Sequence, residues 1–187
     1  MKKNSTLKLT LIVLAGIISL FIMGLCIVNG SKNEAISLEE NVSATYSDVK
    51  VQEKRRTDLI TNLVGCVKEY DKHEYKTLTD IIDKRNTENI SDKDMENISN
   101  KINVVAEAYP NLKSNTNYKE LMNELSVTEN LIAQHRITYN KAIKSYKRYC
   151  RKFPTNTFLS ITNYEIVNFD YLSYDVSEDA PTNLFED

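Results

Sequence analysis

The chain has 187 residues, and its 24 Lys and Arg against 26 Asp and Glu leave a formal net charge of −2. Only four Gly, three Pro and no Trp occur, which favours long helices over a sheet-rich or loop-rich enzyme. All acidic side chains lie after residue 30 and are interleaved with basic ones, which argues against nucleic acid as a partner because phosphate binding needs a positive patch.

The N-terminal part of the chain predicts a membrane anchor. Residues 9–28 carry no charge and follow the short basic segment 1–8, which holds Lys2, Lys3 and Lys8. Twenty helical residues reach about 30 Å, the thickness of a bilayer core. A secretory signal has a shorter apolar stretch and small residues at its cleavage site. We therefore expect a retained single transmembrane helix.

The charges around this span predict its orientation. Lysines precede the span, whereas the segment that follows it is rich in Glu and Asp. The positive-inside rule then places the N-terminus in the cytoplasm and the bulk of the chain outside the cell membrane.

Residues 29–153 are predicted to form a helical bundle that begins with a long helix. Ser37 and Glu40 have the spacing of a capping box, and apolar residues recur at helical spacing after them. We favour a break in this helix near Tyr70–Glu74. The alternative is one continuous helix from Ser37 to Arg85.

A second cap signal and a proline delimit a shorter helix in the middle of the chain. Asn86–Asn89 is a polar break, and Ser91 with Asp94 predicts a new helix start. Pro110 should end this helix at Tyr109, because proline cannot continue the hydrogen-bond pattern.

The last helix has the clearest pattern. It should begin at Asn117, with Glu120 completing the cap, and Pro154 should stop it. Its apolar residues step alternately by three and four up to Phe153, as in a coiled-coil seam, so this helix needs an antiparallel partner. The predicted fold is all-α: an antiparallel bundle of three or four long helices behind the transmembrane helix. The tail, 154–187, shows no helical period, and its aromatic and aliphatic residues are expected to pack on the bundle: Tyr164, Ile166, Phe169, Tyr171 and Leu172.

Several segments together resemble the LemA family of bacterial proteins. They are KRRTDLITNLVGCVKEYDKHE at 54–74, AEAYPNLKSNTNYKEL at 106–121, ENLIAQHRITYNKAIKSY at 129–146, FP at 153–154 and APTNLF at 180–185. The resemblance implies a single-pass membrane protein with an all-helical antiparallel bundle. It brings no established catalytic residues.

An antiparallel pairing of the first and last helices brings charged side chains to one level. Residue n should then lie near residue 189 minus n, and both apolar stripes are interrupted at the same level. We predict a polar layer in which Arg55 or Arg56 meets Glu129 and Arg136 meets Asp58. The complete set is Arg55, Arg56, Asp58, Glu129, His135 and Arg136.

No pattern in the chain indicates a metal, a cofactor or catalysis. Three scattered cysteines and two histidines make no zinc spacing, and neither a Gly-x-Ser-x-Gly turn nor a Gly-rich phosphate loop occurs. Cys66 and Cys150 could form a disulfide in an oxidising space, although free thiols are favoured.

Two functions remain open. The first is a non-enzymatic scaffold of the cell envelope that binds another envelope protein or its own copies. The alternative is a ligand sensor or enzyme that uses the polar layer. A closed, fully paired layer would favour the scaffold, and a cavity above roughly 300 Å³ at the layer would favour the alternative.

Overall fold

A computed structural model describes residues 2–83 and 91–173, and all regular structure within them is α-helical. This confirms the predicted all-α bundle. The helices of the described part are α1 (Lys2–Val67), α2 (Lys72–Asp83), α3 (Asp92–Ala108), α4 (Pro110–Ser114), α5 (Thr116–Arg151) and α6 (Thr155–Ile161). The described chain divides into two compact units: unit 1, residues 2–45 and 138–171, and unit 2, residues 46–83, 91–137, 172 and 173.

Helix α1 is longer than the sequence pattern predicted. It begins at Lys2 and passes through Ser37 without interruption, so the prediction of a helix start near Ser37 was wrong. Gly30 is the poorest helix former close to Ser37. The neighbouring Asn29 and Ser31 donate to the carbonyls of Leu25 and Ile27, each at 3.0 Å, and these bonds are compatible with a continuing helix.

Unit 1 packs the C-terminal third of α5 and the following segment with α1. Its buried core includes Val42, Ile143 and Tyr146. The hydroxyl of Tyr146 accepts from the backbone N–H of Val167 at 3.1 Å and lies 3.1 Å from the hydroxyl of Tyr164. Tyr164 in turn donates to Glu39 on α1. These buried hydroxyls are satisfied by one another, as buried polar groups require.

The segment after Pro154 differs from the expectation of a tail without helical structure. It contains the short helix α6, which a left-handed Asn163 (φ 48°) terminates. The N–H of Tyr164 bonds to the carbonyl of Leu159 at 3.0 Å and that of Asn163 to Ser160 at 3.1 Å, which is a Schellman motif. Seven residues are too few for a periodicity to be recognised.

The aromatic residues beyond α6 are buried to different extents. Phe169 contacts Tyr146 edge to face, with ring centroids 5.6 Å apart. Ile166 and Tyr171 remain half-exposed, and Leu172 is partly buried in unit 2.

Unit 2 contains the break that separates α1 from α2. Helix α1 ends at Val67, and α2 starts at Lys72, so the continuous helix to Arg85 is not formed. The break that we favoured near Tyr70–Glu74 is present and lies slightly earlier. The carboxylate of Asp71 accepts from the backbone N–H groups of His73 (3.0 Å) and Glu74 (2.9 Å). Asp71 therefore caps α2.

The remaining helix boundaries are set by local signals. The Ser91 hydroxyl accepts from the Asp94 N–H and caps α3, and α3 ends immediately before Tyr109 and Pro110, as predicted. The start of α5 was predicted two residues late. Asn115, rather than Asn117, accepts from the Tyr118 N–H at 3.2 Å. The predicted break at Asn86–Asn89 lies outside the described residues.

Candidate functional site

Unit 2 buries two arginines. The exposed fraction is 5% for Arg56 on α1 and 7% for Arg136 on α5. Burying a guanidinium is costly unless opposite charges and hydrogen bonds compensate it. The residues that pair with these two buried arginines are therefore the candidate site in unit 2.

Three carboxylates surround the arginines. Arg136 donates to Asp92 through Nη1 (2.7 Å) and Nη2 (3.1 Å), and to Glu53 through Nη2 (2.7 Å). Arg56 donates to Asp92 through Nη2 (2.8 Å) and lies 3.5 Å from Glu129 through Nη1. We call these five residues the arginine–carboxylate cluster. Asp92 joins both arginines and forms the bidentate geometry that favours a strong pair with Arg136.

Three helices position the cluster. Glu53 and Arg56 are one turn apart on α1, Glu129 and Arg136 lie on α5, and Asp92 is the first residue of α3. A carboxylate in the first turn of a helix also interacts favourably with the helix macrodipole. The position of Asp92 is therefore favoured by α3 itself as well as by the arginines.

Asp92, Glu53 and Arg136 are held in their ionised forms. Bonds from Arg136, and then from Arg56, outweigh burial and lower the pKa of Asp92 below its ordinary value. Burial raises the pKa of Glu53, but bonds from Arg136 and Lys50 more than offset it, so the net shift is also downward. Burial lowers the pKa of Arg136, and its bonds to Asp92 and Glu53 reverse this, so the net shift is upward. None of these shifts moves a pKa toward neutrality, where general acid–base catalysis works best.

The structure brings only part of the predicted polar layer together. Arg56 contacts Glu129, one of the pairs named from the sequence. Arg55 pairs with Glu124 instead, and this pair is half-exposed. Asp58 is exposed and His135 is partly buried. The predicted bond between Arg136 and Asp58 is replaced by the bonds to Glu53 and Asp92.

Two cluster members were missed by sequence reasoning. The antiparallel register that pairs residue n with 189 minus n places Glu53 opposite Arg136, and Glu53 also interrupts the apolar stripe of α1. That signal was available. Asp92 lies on α3, to which the register of α1 and α5 does not apply, and no sequence signal pointed to it.

Two cavities in unit 2 adjoin the cluster. Cavity 1 has a volume of about 440 Å³, and its charged lining comprises Lys50, Lys54, Arg56, Arg136, Glu53 and Asp92. Cavity 2 has a volume of about 380 Å³; it is more apolar, and its charged lining comprises Arg56, Asp92, Glu96 and Glu129. Both exceed the roughly 300 Å³ at which pockets become large enough for small ligands. The layer is therefore paired but not closed.

Metal-binding chemistry has no geometric support in the described part of the chain. No group of three or more His, Cys, Asp or Glu side chains there could hold a metal ion. The cysteines Cys26, Cys66 and Cys150 are free thiols.

The LemA family model matches residues 45–183. The chain belongs to the LemA family. The match covers all five cluster residues, and it agrees with the resemblance seen in the sequence motifs. No curated protein matches the chain.

Proposed function

We propose that this LemA-family protein is a membrane-anchored binding module of the cell envelope, without catalysis of its own. The observation that carries the proposal is the arginine–carboxylate cluster beside two cavities. The pKa shifts of Glu53, Asp92 and Arg136 favour their ionised states, which suits recognition of a charged partner and does not suit proton transfer.

The membrane anchor is supported by the N-terminal part of α1. Within the described residues, α1 contains a window long and apolar enough to cross a membrane, and none of that window is buried. Leu20 and Phe21, for example, expose 65% and 67% of their surface. A continuous apolar helix without protein cover fits a lipid environment.

We further propose that the basic segment 1–8 stays in the cytoplasm and that the two units lie outside the cell membrane.

The cavities favour ligand sensing over a purely structural layer. The volume of cavity 1, about 440 Å³, exceeds the roughly 300 Å³ above which we expect a ligand-binding function. The arginines and carboxylates of the cluster are nevertheless paired with one another. The scaffold role is the second form of the proposal: another envelope protein, or a second copy, would bind a surface of unit 2. Val51, Val104 and Val127 expose 62%, 69% and 51% of their surface there and provide apolar contact area for such a partner.

Native mass spectrometry of the full chain, purified from membranes in detergent, tests the binding role. We expect a co-purified small ligand that is lost from the Lys50→Gln/Lys54→Gln variant. Lys113→Gln is the matched control, because Lys113 is also an exposed lysine paired with a glutamate.

In parallel, a photo-crosslinking residue at Val104 tests the scaffold form in cells. A chain with neither a bound ligand nor a specific crosslinked protein would overturn the proposal.

Reporter fusions test the proposed orientation. Alkaline phosphatase fused after Asp187 should be active and green fluorescent protein at the same place dark, because the positive-inside rule places this end outside. Replacing Lys2, Lys3 and Lys8 with Gln should weaken that preference. The reverse pattern of reporter activity in the unaltered chain would refute the orientation.

A further inference from the structure

We propose that cavity 1 binds a phosphate-type dianion. This inference rests on the proposed binding function and names its ligand class. The formal charge of the cavity lining is opposite in sign to that of the whole chain.

Four cationic side chains and two carboxylates line cavity 1, so its formal charge is close to +2, whereas the chain carries −2. The cluster residues that reach the cavity already balance one another, since Arg56 and Arg136 face Asp92 and Glu53. The excess comes from Lys50, which lies 3.0 Å from Glu53 and shares it with Arg136, and from Lys54; both lysines are exposed. A ligand with two negative charges would neutralise this excess. Cavity 2 has one cation and three carboxylates, so the same anion is disfavoured there.

The lining also supplies hydrogen-bond donors of the kind that phosphate needs. The guanidinium of Arg56 has five N–H groups, and its described bonds to Asp92 and Glu129 use only two of them. Its Nε is buried without a hydrogen-bond partner among the described residues. The fork of an arginine matches the geometry of phosphate oxygens, and lysines add point charges.

The start of α3 adds a second contribution. Ser91 and Asp92, the cap and first residue of this 17-residue helix, line the same cavity. The positive end of the helix macrodipole therefore adds to the charge of the lysines.

The volume of the cavity indicates more than a bare ion. One water molecule takes about 30 Å³ in the liquid, so 440 Å³ accommodates a phosphate together with an attached organic group. The shared chemistry is a phosphate dianion. Its source is inorganic phosphate, a soluble phosphomonoester or the head group of a phospholipid, and the experiment separates them.

The test uses the full chain in nanodiscs of zwitterionic phosphatidylcholine at fixed ionic strength. Inorganic phosphate, glycerol 3-phosphate and, as a monoanion control, acetate are titrated separately by calorimetry. A fourth arm repeats these titrations in nanodiscs that contain phosphatidic acid. We expect saturable binding of at least one phosphate source and none of acetate. Phosphatidic acid that abolishes binding of the soluble compounds would assign the site to a lipid head group.

Variants show whether binding takes place in cavity 1. Lys50→Gln/Lys54→Gln should weaken phosphate binding roughly tenfold, as expected for the loss of two partly screened charges, and Lys113→Gln should leave it unchanged. Both lysines are exposed, so the fold should persist, and circular dichroism checks this. Arg56→Lys keeps the charge but removes the fork, and should also weaken binding.

Equal binding by the double variant and the parent chain would overturn the inference, as would equal binding of acetate and phosphate. If phosphate fails to bind but mass spectrometry shows another ligand that the double variant loses, the inference fails and the proposed function stands. If neither phosphate nor any other ligand binds and no partner protein is crosslinked, the inference and the proposed function both fail.

Discussion

Asp92 occupies a position on which both buried arginines depend. It accepts hydrogen bonds from Arg56 and Arg136 at 2.7 to 3.1 Å, while its own side chain is one-third exposed. The arginines cannot reach water as readily, because each is at least nine-tenths buried. Removing the charge of Asp92 therefore destabilises the fold mainly by leaving two buried guanidinium groups without their shared carboxylate.

We expect Asp92→Asn to lower the free energy of unfolding by about 2 kcal/mol, less than for a fully buried pair because Asp92 is partly exposed. Glu107→Gln is the matched control. Glu107 pairs with Lys113 at 2.6 Å, but both side chains are more than half exposed, so its loss should cost about 0.5 kcal/mol or less. Urea unfolding of the full chain, followed by circular dichroism, measures both. Equal losses would show that the cluster contributes no more than a surface pair.

Acid should weaken unit 2 through the same carboxylates. The pKa values of Asp92 and Glu53 are lowered in the folded state, so the folded chain holds their protons less tightly than the unfolded chain. Their contribution is complete above the unfolded-state pKa values and is lost as the pH falls through the folded-state values. The decline should begin near pH 4.5, the ordinary pKa of a glutamate. Unfolding measured against pH should show a shallower acid decline in Asp92→Asn, and identical slopes would contradict the assignment.

The cluster shows how far sequence reasoning reached at single residues. The pairing of Arg56 with Glu129 follows from the antiparallel register of α1 and α5, and the same register also placed Glu53 opposite Arg136. Asp92 could not be found in this way. It is 36 residues from Arg56 and 44 from Arg136, and its position depends on where the start of α3 lies relative to α1 and α5, which no local pattern encodes.

The break between α1 and α2 is made by a cap rather than by glycine or proline. Asp71 and Glu74 have the spacing of a capping box, and Asp71 satisfies two N–H groups in the first turn of α2. We placed the break near Tyr70–Glu74, slightly late, because that position gives the first helix a length similar to that of the last. At Ser37 and Glu40 the same spacing lies inside a continuous helix, so the motif alone does not determine a helix start.

Asp71→Ala should therefore destabilise α2 by about 1 kcal/mol, the usual cost of losing an N-cap. Hydrogen exchange at the amides of His73 and Glu74 measures the effect directly, because both donate to Asp71. Asp71→Asn, which keeps the accepting oxygen, should restore most of the protection. Unchanged exchange in Asp71→Ala would mean that packing alone holds this turn.

The whole molecule combines contacts that are far apart in sequence. In unit 1, the hydroxyl of Tyr149 on α5 donates to the carbonyl of Ser31 on α1 at 3.2 Å, across 118 residues. Helix periodicity predicted both helices, and the unbroken apolar stripe of the last helix predicted an antiparallel partner. The length of α1 was not predicted, since α1 has 66 residues and α5 has 36. The division of the chain into two units was not predicted, because it depends on where contacts are dense and not on where helices begin or end.

At the N-terminus, the apolar part of α1 should be required for membrane attachment and dispensable for the helical units. None of its described side chains is buried, so their removal takes away no core. Deleting residues 9–28 should move the chain to the soluble fraction after carbonate extraction while circular dichroism still shows the helices of both units. Replacing residues 9–28 with an unrelated apolar stretch of equal length is the control and should restore attachment, because length and apolar character alone satisfy the bilayer. If the chain without residues 9–28 remained in the membrane fraction, the two helical units would themselves bind the membrane, and the prediction would be wrong.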